Sequence, residues 1–221
     1  MSTKRKNKYK SLWRKVSINN IPSSLEIDSK SIIYDISAKI LDIGCGDGSY
    51  LNKLYQQGYK NLYGVDINAN IAKSELNNQI RLDTQDASCL QFDECSFDIA
   101  IMKALLTTIV SDHTIMKSFE EAYRVLKKGG KLIIKDFFQN WHLPLYRERY
   151  LNHLKNHPDN KCVFPVYSKD GDIRYYARHF NTSELSRMLI SIGFAISDLH
   201  FENVHTQSGN SVIGFTIIAI K

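Results

Sequence analysis

Three glycines, Gly44, Gly46 and Gly48, follow the apolar run Ile40-Leu41-Asp42-Ile43, and a lone acid, Asp66, ends a second apolar run further on. An apolar strand feeding a glycine-rich turn, with a helix beyond and an acid about 20 residues later, is the arrangement of a nucleotide cradle in a βαβ unit. The spacing decides what the cradle holds. A dinucleotide loop reads G-x-G-x-x-G, its third glycine allowing close packing of helix on strand. Here the order is G-x-G-x-G, and Ser49 stands at the position of that third glycine. Asp42, two residues before the first glycine, would repel a phosphate and suit a cation. The residues therefore point away from a pyrophosphate and toward a ligand with adenosine at one end and an ammonium at the other.

Together with two later stretches, this run resembles the class I S-adenosylmethionine-dependent methyltransferases, whose first motif reads apolar-apolar-Asp-x-Gly-x-Gly-x-Gly. Leu62-Tyr-Gly-Val-Asp66-Ile67 is similar to the family's second stretch, and Asp83-Thr-Gln-Asp86-Ala87-Ser88 to its adenine-recognition turn. Ser96 to Lys103 resembles the fourth strand, and Glu120 to Ile134, with Gly129-Gly130 inside it, the following helix and fifth strand. The resemblance implies S-adenosyl-L-methionine as cofactor, with Asp42, Gly44, Cys45 and Gly46 at the methionine part. It implies Asp66 on the ribose hydroxyls, Ile67 against the adenine, Asp86 on its amino group and the Ala87 amide on a ring nitrogen. Lys103, just past the fourth strand, is placed where cofactor and acceptor meet. Cys45 inside the turn is a departure the family tolerates.

Methyl transfer from a sulfonium needs alignment and exclusion of water more than it needs a base. If the acceptor is an alcohol or an ammonium, a histidine near neutral pKa is the natural base. His142 and His179 are the candidates, with Lys103 a third catalytic candidate. Arg147, Arg149 and Arg174 would suit an acidic acceptor. All but Lys103 fall in Phe137 to Phe180, which holds ten of the 24 aromatic residues and four of the seven histidines. A stretch of that length exceeds a simple crossover. It reads as an acceptor-binding cap insertion at 137–180, with Trp141, Tyr146, Arg147, Tyr150 and Tyr176 as its candidate binding residues.

The elements that must position these groups alternate. Strands are expected near 39–43, 61–66, 79–82, 97–102 and 131–136, with helical patterns between them, giving an α/β doubly wound, mostly parallel sheet. Ile115, Phe119, Ala122 and Leu126 recur at helical spacing after Ser111-Asp112, and Gly129-Gly130 are expected to stop that helix. Asn181-Thr-Ser-Glu184 reads as a capping box before a helix closed by Gly193. Phe194 to Val204 and Ser211 to Ile220 read as a terminal hairpin. The family resemblance implies seven strands in the order 3-2-1-4-5-7-6, the last antiparallel, in a Rossmann-like methyltransferase fold.

The 221 residues carry a formal charge of +6, but seven lysines and arginines lie within residues 1–15 without any acid. Outside that arm, 22 basic side chains face 23 acidic ones, a balance of −1. Residues 1–20 therefore read as a basic, partly disordered arm, and 21–221 as a single methyltransferase domain. Tyr9 and Trp13 could fold over the cofactor as a lid. A neutral body disfavours nucleic acid as the partner. Four cysteines without a C-x-x-C pair suggest neither a disulfide framework nor a zinc site, and no metal is expected. A cytoplasmic protein, monomer or homodimer, with no membrane association, is the expectation. The reading is a methyltransferase acting on an O or N atom of a small molecule. The alternatives are an RNA or protein methyltransferase docking through the arm, and a non-catalytic cofactor-binding protein. In place of the Asn/Asp-Pro-Pro-Tyr/Phe motif of amino-directed nucleobase methyltransferases stands Met102-Lys-Ala-Leu105, which disfavours that route.

Overall fold

A computed structural model describes residues 12–13, 25–28, 33, 35–68, 79–156, 162–168, 170–206 and 208–221. Tyr9 and nearly all of the basic arm lie outside the described residues.

β1 (Ile40–Ile43) is buried along its whole length and pairs in parallel with β2 (Leu62–Asp66) on one side and β4 (Phe97–Lys103) on the other. Burial on both faces is why its sequence is a near-continuous apolar run rather than an alternating one. β3 (Ile80–Thr84) extends the sheet beyond β2, and β5 (Leu126–Phe137) extends it beyond β4. β9 (Ser211–Ile220) runs antiparallel between β5 and the outer strand β8 (Ala195–His205). The order is β3-β2-β1-β4-β5-β9-β8. β6 (Val163–Tyr167) and β7 (Ile173–Arg178) form a separate antiparallel pair, so the large sheet has the expected order of a methyltransferase fold with an antiparallel last strand.

Helices cover both faces, and the two-residue period of the strands sorts the core accordingly. α1 (Ser49–Gln56) packs Leu51 and Leu54 against Ile40, Ile99, Ile101 and Ile133. On the opposite face α2 (Asp112–Val125) and α4 (Thr182–Ile192) pack Ile115, Phe119, Leu185 and Leu189 against Leu41, Ala100, Met102 and Leu132. Each such side chain, taken fully out of water, contributes roughly 1.5–3 kcal/mol.

Two local expectations are corrected. α2 ends at Val125, before Gly129-Gly130, because Leu126 is already extended and pairs with Phe97. The glycines instead carry the irregularity that lets the register resume at Ile99 and Lys131. Gly129 has φ +78°, and a Cβ on Gly130 would meet the Lys127 carbonyl oxygen at 2.8 Å. Asn181 does cap α4, its side chain accepting from the Ser183 N–H at 2.9 Å. Glu184 does not complete a capping box, because its carboxylate pairs with the buried Arg178 guanidinium at 3.2 Å.

The segment after β5 leaves the sheet and returns to it at one place. The Phe180 N–H donates to the Phe137 carbonyl and the Gln139 N–H to the Phe180 carbonyl, both at 3.0 Å. Between those ends, α3 (Pro144–Asn156) and the β6-β7 hairpin enclose their own apolar cluster, with Tyr146, Tyr150, Phe164 and Tyr175 at its centre.

Candidate active site

The glycine turn is tied to the end of β2. Gly44 and Cys45 both donate backbone N–H bonds to the Val65 carbonyl, at 2.7 and 3.0 Å. The Gly46 N–H donates to Asp66 Oδ2 at 3.1 Å, and the Asn68 N–H to Oδ1 at 3.0 Å. Asp66 is only 8% exposed. Burial raises its pKa, and the backbone donors pull it back toward the ionised form. Gly44 sits at φ +81°, and a Cβ there would lie 2.7 Å from Leu105 Cδ1. The turn therefore needs glycine at that position for both conformation and space.

Asp42 lies beneath the turn. It is 1% exposed, its two carboxylate oxygens have no hydrogen-bond partner among the described residues, and it is not on the cleft wall. Burial pushes its pKa to about 7, against the charge of Lys103. Lys103 itself reaches the cleft, with Nζ 5.6 Å from the Tyr50 ring centroid.

Above the turn, Asp66, Ile67, Gln85, Asp86 and Ala87 form one wall of a cleft, facing Leu105, Thr108 and Ile109. A second compartment continues along Gly44, Cys45, Gly46, Asp47 and Lys103. Asp86 Oδ1 is engaged by the Ser88 N–H at 3.0 Å and the Ser88 hydroxyl at 2.7 Å, which fixes the third motif as a turn. Trp13 borders both compartments. They enclose about 60 and 30 Å³, so the cleft is narrow in this conformation. A buried acid fixed by its own turn, an apolar residue directly after it and a second acid turn beside them match the polar and apolar parts of a nucleoside. Asp42 and Lys103 set a carboxylate and an ammonium near the glycine end.

A larger cavity of about 560 Å³ lies next door, beneath α3 and the β6-β7 hairpin. Phe137, Tyr146, Phe164, Tyr175, Tyr176 and His179 supply its aromatic walls, with Arg149 at the edge. His179 is 3% exposed and stacks on Phe137, ring centroids 5.4 Å apart. The Tyr150 hydroxyl accepts the Asn140 N–H at 3.2 Å and shares a hydrogen bond with His179 Nδ1 at 2.6 Å. Burial, reinforced by the Arg149 charge, lowers the His179 pKa to about 3 and keeps the ring neutral.

One short segment separates the two spaces. Ala104, at φ +52°, turns the chain out of β4 into a 3₁₀ turn, Leu106–Thr108. Thr108 borders the cleft, whereas Thr107 borders the cavity. The Asp136 carboxylate, fully buried, accepts the Thr107 N–H at 3.0 Å and the Phe137 N–H at 2.8 Å, holding the turn against the end of β5. Trp13 and Tyr175 meet edge to face at 5.2 Å across the same boundary.

The sequence-selected residues divide accordingly. Gly44, Cys45, Gly46, Asp66, Ile67, Asp86, Ala87 and Lys103 surround the cleft, and Asp42 sits behind it. Tyr146, Tyr176 and His179 line the cavity, and Tyr150 supports His179 from behind. His142 is exposed on neither wall, Trp141 packs against the outer side of Tyr150, and Arg147 borders a groove along the outside of α3. Leu105, Thr107, Thr108 and Phe164 were not singled out from the sequence. They belong to a turn and a short hairpin without periodic pattern, and the approach of distant segments alone makes them neighbours.

A family model described as a methyltransferase domain matches residues 41–134. The crystal structure of a SAM-dependent methyltransferase from Methanosarcina mazei superposes with a TM-score of 0.81 at 33% identity, covering 89% of this chain and 99% of that one. The 2-phytyl-1,4-naphtoquinone methyltransferase of Nostoc punctiforme is 34% identical over 202 residues, 81% of this chain and 79% of its own length. A Haemophilus influenzae protein is 32% identical over 106 residues, 44% of this chain, which spans 42% of that relative's length. With the motif order, the sheet order and the cleft geometry in agreement, the chain belongs to the class I S-adenosylmethionine-dependent methyltransferases, with S-adenosylmethionine as its cofactor.

Proposed function

We propose that the protein transfers a methyl group to an O or N atom of a small molecule held in the cavity beneath α3 and the β6-β7 hairpin. The observation that carries this reading is the adjacency of the two spaces across Leu106–Thr108. A cavity of about 560 Å³ rich in aromatic side chains, with a few polar groups among them, has the size and lining of a metabolite site. The Nostoc relative, named for a small-molecule acceptor, supports the same class.

Bound in the cleft, S-adenosylmethionine supplies a methyl group already activated on a sulfonium. The chain's residues hold and align. Asp66 would accept from the ribose hydroxyls, Ile67 would pack on the adenine, the Ala87 amide would meet a ring nitrogen, and Asp86 would receive the amino group. Lys103 neutralises the carboxylate at the glycine end. The cleft as it stands is smaller than a nucleoside, so a lining side chain has to move to admit the cofactor, and Trp13, which borders both compartments, is the one proposed. His179 orients the acceptor as a neutral ring, because an imidazole with Nδ1 occupied by Tyr150 and a pKa of about 3 is not a base near neutrality. Alignment and exclusion of water are then the main source of rate, on the order of 7–11 kcal/mol at most.

The test is transfer of labelled methyl from S-adenosylmethionine to pools of metabolites, peptides and RNA. Label in a metabolite fraction, lost on Asp66→Ala, is the expected outcome. Label confined to peptide or RNA overturns the acceptor class.

A further inference from the structure

We infer that the acceptor carries an anionic group beside a planar apolar body, and that Arg149 is the residue that selects it. The inference rests on the methyl-transfer reading and adds its substrate class.

Arg149 projects from α3 to the cavity edge, with its guanidinium carbon 5.2 Å from the Tyr146 ring centroid and 5.6 Å from that of Phe164. It is half-buried, and no carboxylate pairs with it among the described residues. Other inward arginines are treated differently. Arg124 pairs with Glu121 at 2.8 Å, and Arg178 pairs with both Asp112 and Glu184. Aromatic faces compensate a desolvated cation only in part, so this guanidinium stands ready for an anion from outside the chain. A guanidinium fork binds a carboxylate or phosphate through two parallel bonds.

The remaining walls agree. Among the described residues no aspartate or glutamate lines the cavity, and none of those walls would hold an acceptor ammonium or repel an acid. The other titratable wall groups are Tyr146, Tyr167, Tyr175, Tyr176, His153 and His179. Tyr175 is pushed up to about 12 by burial and stays neutral, as does the depressed His179. Phe137, Tyr146, Phe164 and Tyr175 supply flat surfaces for a ring, and Thr107, Thr206 and Ser208 add hydroxyl-bearing side chains to the lining. A cationic acceptor would meet Arg149 without a counter-charge, whereas an acidic one would neutralise it.

The probes are three molecules of one shape and different charge: 2-naphthoate, 2-naphthamide and 2-naphthylmethylamine. Their binding to the full-length protein saturated with S-adenosylhomocysteine is measured by ligand-observed NMR, with phenyl phosphate added to compare the two anion types. Naphthoate should bind at least about tenfold more tightly than the amide, as a charge-assisted bond requires, and the amine should not bind detectably. Arg149→Gln should bring naphthoate down to the amide, and Arg149→Lys should retain part of the preference. Equal binding of all three in the wild type overturns the inference even if the variants fail to fold. So does a preference for the amine, or an acid preference that survives in folded Arg149→Gln. Binding of S-adenosylhomocysteine without any naphthoate preference defeats only the substrate class. Failure of a folded protein to bind S-adenosylhomocysteine defeats the methyl-transfer reading itself.

Discussion

Replacing Asp42 by asparagine should alter stability in a way that depends on pH and has a worked size. The carboxyl is fully buried, lacks a hydrogen-bond partner among the described residues, and has its pKa pushed from an ordinary 3.8 to about 7. In the unfolded chain it ionises near its ordinary value; in the folded chain it holds its proton until near neutrality. Between those two values the folded state binds more protons than the unfolded state, so stability falls as pH rises through that window and levels off above it. The whole difference corresponds to about 4 kcal/mol, of which roughly 2–3 kcal/mol falls between pH 5 and pH 8. An amide at position 42 would also lack partners, but that cost does not vary with pH. The diagnostic is therefore the change with pH of the stability difference between Asp42→Asn and wild type, both free of cofactor. Urea unfolding at pH 5, 6, 7 and 8 should show the variant gaining on the wild type by roughly 2–3 kcal/mol over that range, with the gain flattening above pH 7. A difference independent of pH, or one that moves in favour of the wild type as pH rises, would refute the reasoning. It would mean that the carboxylate is ionised and compensated under the turn.

Three further outcomes can be checked directly. Asp66→Ala should weaken S-adenosylhomocysteine binding by about tenfold or more in calorimetry, because it removes a charged acceptor fixed by the Gly46 and Asn68 amides. Gly44→Ala should lower stability by about 1–3 kcal/mol in chemical unfolding and reduce cofactor affinity too, since its Cβ would sit 2.7 Å from Leu105 Cδ1 at φ +81°; an unchanged unfolding midpoint would count against the tight turn. Cofactor binding should change the fluorescence of Trp13, which borders both compartments, and the signal should vanish in Trp13→Phe but persist in Trp141→Phe; a signal that follows Trp141 would show that the cleft opens elsewhere.

Much of the donor side could be read from the chain because it is built from contiguous residues with strict local requirements. A turn that needs positive φ calls for glycine, a strand buried on both faces calls for an apolar run, and an acid at a strand end needs only its neighbouring amides to be held. Those constraints act within a few residues, so Gly44, Gly46, Asp66 and Asp86 announced themselves, and alternation of strand and helix carried the sheet with them. Local pattern misjudged the end of α2, where Leu126 gains more from pairing with Phe97 than from another helical turn, and the partner of Glu184, which a distant arginine claims. The neighbouring cavity was different. His142, Trp141 and Arg147 share the cap with Tyr146, Arg149 and His179, and composition cannot separate the outer face of α3 from the inner one. Only the tertiary structure brings Phe137, Phe164 and Tyr175 around one space, fastens His179 to Tyr150, and leaves Arg149 facing that space with no carboxylate on it among the described residues. Contacts between segments far apart in the chain depend on how the cap folds back over the sheet, and no spacing along the sequence encodes that approach.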